Sequence, residues 1–130
     1  MTGSTEDLVG YRINRAYETL KEAEKMIENE FWNASVNRIY YACFYAVIAL
    51  LLKNGIDTGT HNGAKTKFSN DFIKTGIIEL KYGKLYSKLF DYRQKGDYGD
   101  LFDFDEKIVL PLVDQVKEFI SLIDKRMDDK

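Results

Sequence analysis

The chain has 130 residues, the span of one ordinary domain. Its composition, 45% hydrophobic and 31% charged, excludes a disordered polymer, and a net charge of −2 argues against broad, unspecific nucleic-acid binding. One Pro, one Cys and one His leave few helix breakers, no internal disulfide and no paired Cys or His with metal spacing, so no metal or cofactor is expected.

Val9, Ile13, Ala16, Leu20, Ala23 and Ile27 recur at steps of four and three. That period predicts an amphipathic first helix over about residues 5–29. Asn33 stands where a cap belongs, ahead of a second helix over about 33–53. On it, Ala34, Arg38, Tyr41, Tyr45, Ala49 and Leu52 form one stripe, and Val36, Tyr40, Val47 and Leu51 the opposite one. A helix apolar on two sides belongs at the centre of a bundle. Its longest uncharged run, Ile39 to Leu52, is fourteen residues, shorter than the roughly 20 that cross a bilayer. Cys43 within it reads as a small core residue, and Asn54-Gly55 ends it.

Asp57-Thr58-Gly59-Thr60 is a loop whose last residue can cap a third helix, about 61–75, with Phe68 and Phe72 inward and Gly76 closing it. A fourth, about 78–95, turns Leu85, Leu89 and Tyr92 inward and is broken by Gly96-Asp97-Tyr98-Gly99. A fifth, about 104–126, buries Ile108, Leu112, Val116, Phe119 and Ile123. Pro111 inside it predicts a kink, or a start nearer Leu110. With no strand pattern or repeat, the expected fold is all-α: an antiparallel four- to five-helix bundle in one domain, residues 1–130. The N-terminus shows no secretion signal, so the expected location is cytoplasmic, with no membrane span.

Charge is unevenly spread. Residues 61–95 hold eight basic and three acidic groups, and residues 96–130 five basic and ten acidic. These segments either neutralise each other across the bundle or expose a basic face to a phosphate-bearing partner. Arg93 and Asp97, four apart, are spaced for an intrahelical ion pair or for a functional cluster. Arg38 lies one and two turns from Tyr41 and Tyr45, so packing by charge pairing or cation–π contact is expected, with Asp97 its partner. His61 at a helix start has its charged form disfavoured by the dipole there, which suits a local hydrogen-bonding role.

Two segments resemble a known family. Asn37-Arg-Ile-Tyr-Tyr-Ala-Cys-Phe-Tyr-Ala46 is similar to the N-R-x-Y-Y-A-x-F-x-A helix of small prokaryotic HEPN proteins. His61, Phe68, Lys74-Thr75-Gly76 and Arg93-Gln-Lys-Gly-Asp97-Tyr98 follow in the same family's order. The resemblance implies a dimeric helical bundle, often encoded beside a minimal nucleotidyltransferase as a toxin–antitoxin pair. Many HEPN proteins are metal-independent ribonucleases with an R-x4–6-H motif at the dimer seam. Here four residues separate Arg93 from Tyr98, so the usual His is missing. Cleavage through a 2′-hydroxyl needs a proton acceptor and a cation, and tyrosine titrates near ~10.

Three readings follow. The first is a homodimeric component of a nucleotidyltransferase–HEPN system that works by binding protein, nucleotide or RNA, with Arg93, Lys95 and Arg38 as phosphate contacts. The second is a metal-independent endoribonuclease using Arg93 with His61 or Tyr98, Asp97 being a further candidate. The third is a nucleotide-binding module whose basic 61–95 face takes a triphosphate. The resemblance also makes Tyr98 a candidate acceptor for modification by the nucleotidyltransferase.

Overall fold

A computed structural model describes residues 2–98 and 103–128, with side chains over residues 5–94 and 103–127. Five α-helices build an all-α bundle: α1 Thr2–Glu28, α2 Trp32–Lys53, α3 His61–Phe68, α4 Leu80–Tyr98 and α5 Glu106–Asp128. A π-helical turn, Ser69–Ile73, continues α3.

The periodic residues explain the packing. Val9, Ile13, Ala16, Leu20 and Ala23 bury one face of α1 against α2. Leu112, Val116, Phe119 and Ile123 do the same for α5. α2 lies at the centre, in contact with α1, α3, α4 and α5. By length and apolar composition it would suit a membrane, but here Val36, Ile39, Tyr40, Cys43, Val47, Leu50 and Leu51 are buried within the bundle. Burial raises the Cys43 thiol pKa, which keeps it a packing residue.

Several local expectations change. Asn33 does not cap α2; Phe31 holds that position without a side-chain cap. Instead Asn33 Nδ2 donates to the Asp103 carboxylate at 3.1 Å, and its Oδ1 accepts from the Phe104 N–H at 2.8 Å, pinning the approach to α5 onto α2. Thr60 does cap α3, its Oγ1 accepting from the Gly63 N–H at 2.8 Å. α5 starts at Glu106 rather than nearer Leu110, because Asp105 caps it by accepting from the Ile108 N–H. Pro111 is tolerated inside the helix where it faces solvent, since water can take the carbonyl it leaves unpaired. α4 runs through Gly96 to Tyr98 instead of breaking before Gly96. Glycine lowers helix stability by about 1 kcal/mol, which a packed helix absorbs.

α3 and α4 run antiparallel. Phe68 meets Tyr86 edge-on at 5.6 Å, and Ile73 packs against Gly83 further toward the start of α4. A Cβ on Gly83 would lie 3.1–3.2 Å from three Ile73 side-chain carbons, so the glycine permits this close approach. The other end of the hairpin carries His61 and Arg93.

Candidate functional site

Three helices converge on the Tyr40 ring. From α2, Tyr40 is completely buried and stacks with Tyr86 at 6.3 Å, while Phe90 meets it edge-on. From the start of α3, His61 Nδ1 shares a 2.7 Å hydrogen bond with the Tyr40 hydroxyl. From α4, the Arg93 guanidinium stands 5.2 Å from the Tyr40 ring centre and 5.8 Å from that of Tyr41. The His61 ring also stacks on Phe44 at 4.3 Å and meets Tyr41 edge-on at 5.8 Å.

The electrostatics follow from this packing. Desolvation, then the nearby Arg93 charge, holds the His61 pKa below its usual value. Its place at the α3 N-terminus disfavours the imidazolium further. Burial pushes the Tyr40 hydroxyl up to about 12, although Arg93 pulls it the other way, so Tyr40 keeps its proton at neutral pH. A protonated phenol beside a neutral imidazole fixes the ring and can exchange donor and acceptor roles with Nδ1. The cluster therefore combines a permanent cation, a neutral imidazole and a hydroxyl. Among the described residues, no group of three or more His, Cys, Asp or Glu is placed to hold a metal.

His61 and Arg93, 32 positions apart in the sequence, are brought together at this ring cage. Arg38 lies at its edge, 5.3 Å from the Tyr41 ring centre, where cation–π contact was expected. The guanidinium meets Glu22 on α1 at 3.3 Å and Asn37 Oδ1 at 2.9 Å, while the side chain of the partner expected for it, Asp97, is not among those described. The side chains of Lys95, Asp97 and Tyr98 lie outside the described residues. The α4 backbone stays helical to Tyr98 rather than ending at Gly96. Tyr40, central to the site, was absent from the sequence candidates. The available signal was its place in the Tyr-Tyr pair of the second helix, but a contact 21 residues away has no local signature.

Comparison with known proteins decides the family. The HEPN domain model matches residues 9–126. The chain belongs to the HEPN family. Among relatives of this HEPN protein is a UPF0332 protein of Thermotoga maritima, 39% identical over 124 residues, covering 95% of this chain and 94% of that one. Two Methanocaldococcus jannaschii proteins named provisionally as toxins are each 36% identical over 86 residues. Those matches cover 66% of this HEPN chain and 58% and 64% of theirs.

Proposed function

We propose that this HEPN protein is the toxin-type member of a nucleotidyltransferase–HEPN pair, a cytoplasmic homodimer that binds RNA at the Arg93–His61 cluster. The observation that carries this reading is the convergence of Arg93 and His61 on the Tyr40 ring. A guanidinium matches phosphate oxygens in charge and geometry, and a neutral imidazole adds a hydrogen bond without repelling it. The relatives named as toxins support the assignment to such a pair.

A half-covered stripe on α2 supports the homodimer. Tyr41, Phe44, Tyr45, Ile48 and Leu52 are only partly buried, and Tyr11 beside them on α1 is 56% exposed. Arg12 bridges the Tyr11 and Tyr45 rings, at 5.8 and 6.0 Å. Aromatic and Arg side chains are enriched in interface cores, and two-fold dimers are the commonest assembly. Because Tyr41 and Phe44 also touch His61, a two-fold pairing through this stripe draws the clusters of two copies toward each other.

One observation favours the endoribonuclease variant: His61 is held neutral, the form that accepts a proton, beside a cation. The experiment is binding and cleavage of single-stranded RNA in EDTA by wild type, Arg93→Ala and His61→Ala. Binding lost in Arg93→Ala supports the site, and cleavage lost with it establishes the nuclease. RNA binding unchanged in both variants refutes the placement.

A further inference from the structure

The α3–α4 hairpin carries a second basic feature that the cluster does not use. A groove of about 480 Å³ runs between α3, the π-turn and the first half of α4. Lys65, Lys74 and Lys84 line it, with Ser69, Asn70 and Ser87 between them. No Asp or Glu side chain is among its lining residues. The ion pair that crosses from this segment to α5, Lys81–Glu118 at 3.0 Å, lies outside it. Lys74 and Lys84 are exposed and have no ion-pair partner among the described residues. Three ammonium groups around one concavity leave a charge that an anionic ligand would balance.

The groove borders the cluster: its lining residue Tyr86 stacks on Tyr40. His61 and Lys65 are one turn apart on α3, and Tyr86, Phe90 and Arg93 follow one stripe of α4. The Lys65 ammonium sits 4.9 Å from the Phe90 ring centre, and that ring in turn meets Tyr40. From His61 to Lys74 the α3 and π-turn backbone advances about 20 Å. That length spans several phosphates of an extended strand and exceeds one mononucleotide. The serine and asparagine side chains offer hydrogen bonds to sugar and phosphate without selecting a base.

We propose that the Lys65–Lys84–Lys74 groove is a track for the phosphodiester backbone of single-stranded RNA, delivering the strand to Arg93 and His61. The inference rests on RNA being the ligand of that cluster and adds where the rest of the strand lies. Duplex RNA is recognised by shape across a wide minor groove, a poor match to a narrow cleft between two helices.

The test is fluorescence anisotropy with a labelled oligouridine octamer and trimer, across a range of salt. The proteins are wild type, Lys74→Ala/Lys84→Ala and Arg93→Ala, each checked for helicity by circular dichroism. The expected result is weaker octamer binding by the double lysine variant, with a log–log salt slope about 1.4 shallower, because each phosphate contact on a single strand contributes about 0.7. The trimer, held at the Arg93 end, should bind wild type and lysine variant alike. Octamer binding lost in Arg93→Ala but unchanged in the lysine variant overturns the track and leaves the cluster standing. No octamer binding by wild type overturns both. Lysine-dependent binding of ATP without lysine dependence for the octamer replaces the track with a mononucleotide site.

Discussion

Tyr40 offers a direct test of how the cluster is built, because its ring and its hydroxyl do different work. Tyr40→Phe removes only the hydroxyl that meets His61 at 2.7 Å. His61 is half-buried, so water can replace the lost partner, and the expected cost is about 0.5–1 kcal/mol. Tyr40→Ala also strips a fully buried ring packed against Tyr41, Phe44, Tyr86 and Phe90. Truncations of that kind cost about 3–5 kcal/mol, a large part of the 5–15 kcal/mol that holds a domain folded. The two variants should therefore differ by at least about 2 kcal/mol. Urea unfolding at matched protein concentration measures this, with an unchanged m-value confirming that midpoints report stability. A Phe variant as unstable as the Ala variant would refute the division of labour. An Ala variant within about 1 kcal/mol of wild type would refute burial of the ring.

Acidification should weaken the fold through His61. Its folded pKa is lowered, so its contribution is present above the unfolded value near ~6.5 and is lost as pH falls through the folded one. Thermal melts between pH 7 and 5 should thus fall less steeply for His61→Gln; equal slopes would remove His61 from the acid response. The same glycine substitution should have opposite effects in two helices. Gly10→Ala on α1 meets nothing within 4 Å and should stabilise by about 0.5–1 kcal/mol, whereas Gly83→Ala forces its methyl against Ile73 and should destabilise by up to about 2 kcal/mol. Denaturation midpoints moving the same way would show that Ile73 yields freely. Ile48→Glu, on the half-covered stripe, should leave the helices intact by circular dichroism yet give a monomer by light scattering at tens of micromolar, roughly the range in which a micromolar dimer persists; a wild type already monomeric there counts against the dimer.

Helix placement was legible wherever apolar spacing had one answer. On α1, Val9 through Ala23 could face only one way, and they are the buried face. On α2 both stripes are largely apolar in the sequence, so periodicity alone does not say how deeply each is buried. Packing buries the Tyr40 side, while Tyr41, which invites the reading of a core residue, stays half-covered. Arg38 shows the limit for polar partners: Glu22 comes from the neighbouring helix, 16 positions away, and only the α1–α2 packing brings it within reach. The π-turn at Ser69–Ile73 has no composition of its own. Its last residue, Ile73, packs against Gly83 on α4, a tertiary contact that no local pattern announces.

The connection between α2 and α3 acts as a ruler. The Ile56 N–H is tied back to the Leu51 carbonyl, so the free path to His61 is five residues. Those five must return along α2 from the level of Leu51 to that of Phe44, on which the His61 ring stacks, and toward Tyr40, roughly 10–16 Å at 1.5 Å per residue, against a fully extended reach of about 17 Å. The reach of the two side chains adds slack to that path. Such a tether tolerates change in one direction only. Added residues would leave His61 free to find Tyr40 at a small entropic cost, since loop closure grows slowly with length. Removing residues would use up that slack and then pull the imidazole away from the phenol while the bundle, held by α1, α4 and α5, stayed folded. The spacing between the tyrosine pair and the histidine therefore has a minimum length and no sharp maximum.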